Sequence, residues 1–227
     1  FYRTEWLMGD FSYQTALIEA IEAQGMNAIA IFTNTFRNEE LDSPTLMDAV
    51  NRYFFRDGAR LVDVIINTMK FSLKAAGTSI EEWMRIDVPL LEAYTVLGER
   101  AEWEASPAGL NPMEVSIAVS LPEFDGVIHS VPIAARVKDD VGDVTWQLME
   151  ERMARLAAKA KKWALLGKKP NQEKKIAIVF HNYPPTNSNI GSAAGLDSPE
   201  SVRRLLAKMR DAGYTVATIP KDSKAFM

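Results

Sequence analysis

Cysteine is missing altogether from the 227 residues, and that absence removes disulfides, thiolate zinc sites and a cysteine nucleophile. It accords with a cytoplasmic protein. Histidine is almost as scarce, with two residues, His129 and His181, and no dense His/Asp/Glu cluster at metal-ligand spacing can be drawn. No apolar run approaches the roughly 20 residues that a helix needs to cross a bilayer. The opening FYRTEWLMGD also lacks the charged-then-apolar order of a secretory signal. Neither a membrane span nor a signal peptide is expected, and a start at Phe1 within a strand-like FYR reads as a piece of something longer. Excess positive charge is absent too. A formal net charge of -4 disfavours nucleic acid and anionic lipid as partners. No GxxxxGK[ST] occurs, nor a GxGxxG after a strand, so a nucleotide-phosphate loop finds no support.

What is present is an ordinary globular composition, 47% hydrophobic and 25% charged, enough for one large or two modest domains. Strand-like and helix-like stretches alternate through the first half, which argues for an α/β fold with a parallel sheet, Rossmann-like or flavodoxin-like. FYR reads as a truncated first strand. Leu17, Ile18 and Ile21 then recur at helical spacing until Gly25, and Asn27 to Phe32 (NAIAIF) reads as a buried strand. A helix is expected from Pro44 to Phe55, with Leu46, Val50 and Tyr53 on one face. Through DGAR it leads into a central strand, Val62 to Asn67. A loop at Gly77, a short helix at Glu81 to Met84 and a segment from Val88 (VPLLEAYTV) follow; the last reads as a strand, although its length also allows a helix. MEVSIAVSLPE reads as a helix broken at Pro122, and FDG turns into a closing edge strand that carries His129. The first domain is expected to span 1–137.

Between Asp143 and Gly167, the residues Trp146, Met149, Met153, Leu156, Ala160 and Trp163 fall three and four apart and predict one long bridging helix over 138–170. The lysines from Lys159 to Lys175 read as a solvated face. An incomplete second α/β unit is expected over 171–227: a buried strand KKIAIVF, a polar loop, a helix with Val202, Leu205, Leu206 and Met209 inward, a Gly213 cap and YTVATIP.

The loop of this second unit carries the most information. It runs through His181, Asn182, Pro184, Pro185, Asn187, Asn189, Gly191 and Gly195 to a helix start at which either Ser198, with Pro199, or Asp197, boxed with Glu200, can cap. A long connection at the carboxyl end of a strand and beside a helix N-terminus is placed to bind something anionic. An Ω-loop docking on another part of the protein is the equal alternative.

The segment KKIAIVFHNYPPTNSNIGSAAGLDSPESVRRLLAKMRDAGYTV closely resembles the hallmark segment of cobaltochelatase large subunits, and more distantly the corresponding segment of the magnesium chelatase porphyrin-binding subunit. Pro184, Pro185, Asn189, Gly191 and the pair Ala193 and Ala194 match both branches. His181 and Gly195, Leu196, Asp197 resemble the cobalt branch. Upstream, FYRTEWLMGD, the strand with Asn67, and LPEFDG at Leu121 resemble the preceding region of this family. The resemblance implies part of a multi-subunit, ATP-dependent ligase of cobalamin or chlorophyll-type biosynthesis. Its substrates are a tetrapyrrole and a divalent metal, Co2+ favoured over Mg2+, while AAA+ ATPase and adaptor subunits handle ATP and Mg2+. No cofactor is implied in this segment itself.

Individual residues keep two readings. His181 could ligate cobalt or accept a pyrrole proton, or simply hydrogen-bond a neighbouring loop. Asn182, Asn187 and Asn189 could meet macrocycle substituents or stabilise turns. Asp197 and Glu200 could remove protons, although capping accounts for both. A two-lobe small-molecule-binding module and a subunit-interaction scaffold remain the alternative functions.

Overall fold

Seven consecutive residues, Leu90 to Val96, are buried without exception, which a strand allows only when both faces and both edges are covered. The computed structural model describes residues 1–34, 40, 44–73, 79–138, 142, 144–193 and 195–226; Gly77, Asp143 and Ala194 lie outside them. Two compact units result, Phe1–Leu165 and Leu166–Met227, whereas the sequence reading divides the chain after 137 and 170.

In the first unit, Phe1 and Tyr2 are followed by α1 (Arg3–Met8) and α2 (Ser12–Glu22). Next comes α3 (Leu46–Tyr53), begun by a capping box in which Thr45 and Asp48 satisfy each other's backbone N–H groups. Asp57 and Gly58, both at positive φ, close a hairpin of β1 (Phe55–Arg56) and β2 (Ala59–Arg60). The sheet itself is β3 (Ile65–Asn67), β4 (Leu90–Val96), β5 (Val127–Lys138) and β6 (Val144–Leu148), in that spatial order. The first three run parallel and β6 returns antiparallel. Short helices α4 (Ile80–Met84), α5 (Arg100–Ala105), α6 (Pro112–Val115) and α7 (Leu121–Glu123) connect them, and α8 (Glu150–Lys168) follows. On one face, Tyr13 and Leu17 of α2 and Met153, Leu156 and Ala160 of α8 pack on Leu91, Ala93, Val131 and Ile133. On the other, α3 covers Ile65, while Tyr94, Val96 and Ala135 pack on Ala118 and Trp103. The mixed α/β expectation is met.

Several elements differ from their expected form. Of FYR, Tyr2 makes a single parallel bridge to Thr33 and Arg3 already begins a helix. NAIAIF forms no ladder and leaves Ile29 51% exposed, because the main-chain bonds to Phe1 and Arg3 stop at Ile31 and Thr33. VDVIIN shortens to β3 at the outer end of the four-stranded sheet instead of its centre. The segment from Val88 is a strand. β5 is an interior strand rather than an edge, since β4 and β6 pair on its two sides. Trp146 belongs to β6, not to the long helix: Val144, Trp146 and Leu148 also satisfy a period of two, and pairing with Arg136 decides between the periods. The helix from Pro112 does not break at Pro122. It widens into a π-helical turn at Ser116–Ser120, where the Leu121 N–H bonds Ser116 O. Pro122 has no N–H to offer Ile117 O, and that carbonyl accepts the Phe71 N–H instead (2.8 Å).

The second unit holds two 3₁₀ turns, Asn171–Glu173 and Asn187–Asn189, then α9 (Ser198–Asp211) and α10 (Ser223–Phe226). KKIAIVF is not a buried strand. It has no ladder partner among the described residues, and Ile176 and Val179 are 55% and 89% exposed. YTVATIP likewise forms no strand. Asn171 Nδ2 donates to Ala212 O and Thr215 Oγ1 to Gln172 O, tying the two ends of this unit together (2.8 and 2.9 Å). Leu205 of α9, expected inward, is 47% exposed.

Candidate functional site

Asn182 and Ile190 form an antiparallel bridge, and the Gly191 N–H donates to His181 O at 2.7 Å, so the polar loop closes on itself at its neck. Inside that neck, Pro184 O accepts both the Thr186 N–H (2.8 Å) and Asn189 Nδ2 (2.9 Å). The Asn189 amide is thus committed to shaping the loop, in the manner that makes asparagine a turn residue. Asn187 opens the short 3₁₀ turn. The Tyr183–Pro184 peptide is cis, and Pro184 and Pro185 are exposed.

Gly191 is fixed by two independent demands. Its φ is +69°, and a Cβ there would stand 2.6 Å from the Phe180 ring and 3.1 Å from Ser198 Cβ. The buried Ser198 hydroxyl donates to Gly191 O. Gly195 also has a positive φ, +74°, but open space around it. Asp197 is the cap of α9, accepting the Glu200 N–H at 3.0 Å. The box is half made: the Glu200 carboxylate turns to Arg203 (2.7 and 2.8 Å) and Arg204 (2.9 Å). Those arginines hold the Glu200 carboxyl down at about 2, so it is no proton acceptor at neutral pH. The helix N-terminus already carries the chain's own carboxylate. His181 and Asn182 are exposed, and neither side chain hydrogen-bonds a described residue. The structure therefore joins His181 to Gly191, Asn182 to Ile190 and Pro184 to Asn189, while Gly195 and Asp197 stand apart at the helix start.

No group of three His, Asp or Glu among the described residues could hold a metal ion, and no helix there is long and apolar enough to cross a membrane.

A second polar cluster, which the sequence reading passes over, lies in the first unit where β3 ends. Glu92, in the middle of the apolar run of β4, is fully buried. Its Oε2 accepts Asn67 Nδ2 at 2.7 Å, and the same amide group reaches Met69 O and receives the Met69 N–H. Burial pushes this carboxyl up to about 9, against the pull of the Asn67 hydrogen bond, so it stays protonated at neutral pH. Nearby, Glu5 accepts Tyr13 Oη (2.7 Å) and Gln14 Nε2 (3.2 Å), and Tyr2 Oη donates to Lys70 O (2.8 Å). Asp125 accepts Ser72 Oγ and the Leu73 N–H (2.7 and 2.6 Å), and its carbonyl accepts Trp83 Nε1 (2.8 Å). FYRTEW, the strand with Asn67, and LPEFDG thus converge on one loop, Thr68–Leu73. The signal that could have found this cluster is a glutamate inside an otherwise apolar strand.

The model of the CobN/Magnesium Chelatase family matches residues 1–227. The chain is 33% identical to the aerobic cobaltochelatase subunit CobN of Pseudomonas aeruginosa, over 97% of the chain and 18% of that protein. It is 28% identical to the chloroplastic magnesium-chelatase subunit ChlH of Oryza sativa subsp. japonica, over 99% of the chain and 16% of that protein. The catalytic subunit of cobaltochelatase from Mycobacterium tuberculosis superposes with a TM-score of 0.79 at 29% identity, covering 100% of the chain and 19% of that subunit. The chain spans less than a fifth of the length of these relatives. Matched along its whole length, the chain belongs to the CobN/magnesium chelatase family.

Proposed function

We propose that the chain works as part of the large subunit of an ATP-dependent chelatase that inserts a divalent metal, cobalt in preference to magnesium, into a tetrapyrrole. The family match over residues 1–227, with relatives named for both metals, carries this reading. The preference for cobalt rests on the His181 and Gly195 to Asp197 wording, and on 33% identity to a cobaltochelatase subunit against 28% to a magnesium one. ATP and Mg2+ belong to AAA+ ATPase and adaptor partners in the cytoplasm, in keeping with the missing phosphate-binding loop.

In this reading the chain positions substrate. The loop from His181 to Asp197 is a preshaped recognition surface: Gly191 and Asn189 hold its backbone, Asp197 secures the helix behind it, and the exposed His181 ring, tilted against Tyr183, and the Asn182 amide meet the ligand. Pro184 and Pro185 keep the exposed tip stiff. A rigid loop loses less entropy on binding than a mobile one.

The test is titration of tryptophan fluorescence in the full subunit with hydrogenobyrinic acid diamide and with protoporphyrin. Saturable quenching, tighter for the corrinoid, is expected. His181→Ala should weaken it about tenfold, a loss of about 1.4 kcal/mol, and leave the melting temperature unchanged. No quenching by either compound refutes the reading. Unchanged binding in His181→Ala moves the loop's role to docking of a partner subunit.

A further inference from the structure

Residues 28–32 and β3 each present a main-chain edge without a ladder. β3 is the outer strand of the four-stranded sheet. Its Ile65 N–H donates to Pro89 O on the β4 side at 3.0 Å, so the alternation of a parallel strand turns the N–H and C=O of Ile66 to the free edge. Along the other segment, the Thr33 N–H donates to Phe1 O (3.0 Å), the Arg3 N–H to Thr33 O (2.9 Å) and the Phe1 nitrogen to Ile31 O (2.9 Å). Residues 29, 31 and 33 therefore turn the same way. The Ile31 N–H and both main-chain groups of Ile29 continue that row without a hydrogen-bond partner among the described residues.

Between the two edges lies a cavity of about 90 Å³, lined by Phe1, Ile29 and Ile31 on one side and by Ile65, Ile66 and Asn67 on the other. Helices α3 and α4 add further apolar side chains to it. This lining calls for two things at once: hydrogen-bond partners at every second residue along both edges, and apolar cover. Water supplies only the first and an apolar side chain only the second. An extended polypeptide supplies both, as in any strand added to an open sheet edge.

We propose that the gap seats a β-strand, parallel to both neighbours and formed by the residues that run into Phe1 in the full subunit; the inference rests on the reading above of the chain as part of a large subunit. Phe1 and Tyr2 already stand in register for it. Tyr2 lies opposite Thr33, and its hydroxyl reaches across to Lys70 O just beyond β3 (2.8 Å). Continued backward, that register sets the residue immediately before Phe1 opposite Ile31 and the residue three places before Phe1 opposite Ile29. The resulting order, residues 28–32 outermost, then the seated strand, β3, β4 and β5, is that of a flavodoxin-like sheet, whose first strand lies between the second and third. The relatives have polypeptide enough to supply such a strand, since the chain covers 16%, 18% and 19% of their lengths. Neighboured on both edges, the seated strand is apolar on both faces. Its seat also accounts for NAIAIF, a strand in composition that builds no ladder within the chain.

Residue-resolved amide hydrogen exchange on the full subunit, purified without partner proteins, tests the seat. Ile29, Ile31 and Ile66 should exchange about a hundredfold or more slowly than Ala28 and Ala30, whose N–H groups point to the opposite edge. A disulfide identifies the occupant. Ile29→Cys combined with a cysteine three places before Phe1 should close on mild oxidation, because facing residues of neighbouring strands lie within disulfide reach. Ala30→Cys with the same second cysteine points to the other face and should stay reduced. Exchange of Ile29 and Ile31 as fast as that of Ala28 and Ala30 overturns the seat. Slow exchange that is lost on dilution assigns the gap to a second copy, and slow exchange without closure of the Ile29→Cys pair assigns it to another strand; either overturns the occupant proposed. All of these results leave the chelatase reading standing, because tetrapyrrole quenching tests it separately on the same subunit.

Discussion

Replacing Gly191 by alanine tests whether the neck of the His181 loop is as tightly specified as its geometry indicates. The new Cβ would adopt a left-handed backbone, φ +69°, at a cost of roughly 1–2 kcal/mol. It would also press on Phe180 Cδ1 at 2.6 Å, Phe180 Cε1 at 3.0 Å and Ser198 Cβ at 3.1 Å. Overpacking of this kind adds roughly 1–3 kcal/mol. The sum is about 2–5 kcal/mol, drawn from the Gly191 to His181 hydrogen bond and the Ser198 contact that close the loop. Gly195→Ala is the internal control, because at φ +74° with nothing within 4 Å it bears the backbone cost alone, about 1–2 kcal/mol. Amide hydrogen exchange resolved over residues 181–197 reads both. Opening should become about 30-fold or more easier in Gly191→Ala, and at least about fivefold easier there than in Gly195→Ala. Equal effects of the two substitutions would refute the claim that contact, beyond φ, fixes Gly191.

Glu92 predicts a pH dependence of stability. Its folded-state carboxyl titrates near 9 against a usual 4.5, so between these values the folded chain keeps a proton that the unfolded chain has lost. Stability is therefore full below about 4.5 and falls as pH rises through 9, by up to about 1.4 kcal/mol per pH unit. Glu92→Gln, which can still accept from Asn67, should flatten that decline in melting curves taken from pH 5 to 9. A parallel decline in both proteins would contradict a buried neutral Glu92. Asp197→Ala should cost α9 about 1 kcal/mol and Asp197→Asn a few tenths, read by exchange of the Glu200 amide. Indistinguishable exchange in Asp197→Ala and wild type would show that the cap contributes nothing.

Helices were legible where a local rule and the tertiary environment agreed. Thr45 with Asp48 starts α3, Asp197 starts α9, and Gly25 and Gly213 end helices at positive φ, all within a turn of the residues concerned. Met153, Leu156 and Ala160 were rightly read as a buried helical stripe, because 3.6-residue periodicity is a property of the segment itself, whereas Met149, although buried, precedes α8 and packs with Tyr94 and Val96 instead. The strands were harder. KKIAIVF and NAIAIF have the composition of buried strands, yet burial needs a neighbour, and among the described residues neither segment has a ladder to join. Trp146 satisfied both periods, and only β5 could choose.

For the candidate site, the wording around His181 and Gly191 determined the family and the presence of a shaped loop, since glycine at a left-handed position and asparagine in a turn act through their own backbone. The tertiary structure alone decided that Ile117 offers its carbonyl to Phe71, whereas Glu200 meets Arg203 and Arg204 through the i,i+3 and i,i+4 spacing of α9 itself. It alone brought Glu92 of β4 to Asn67 where β3 ends. Hydrogen bonding and desolvation between residues far apart in the chain depend on which elements become neighbours, and no local pattern in the chain encodes that.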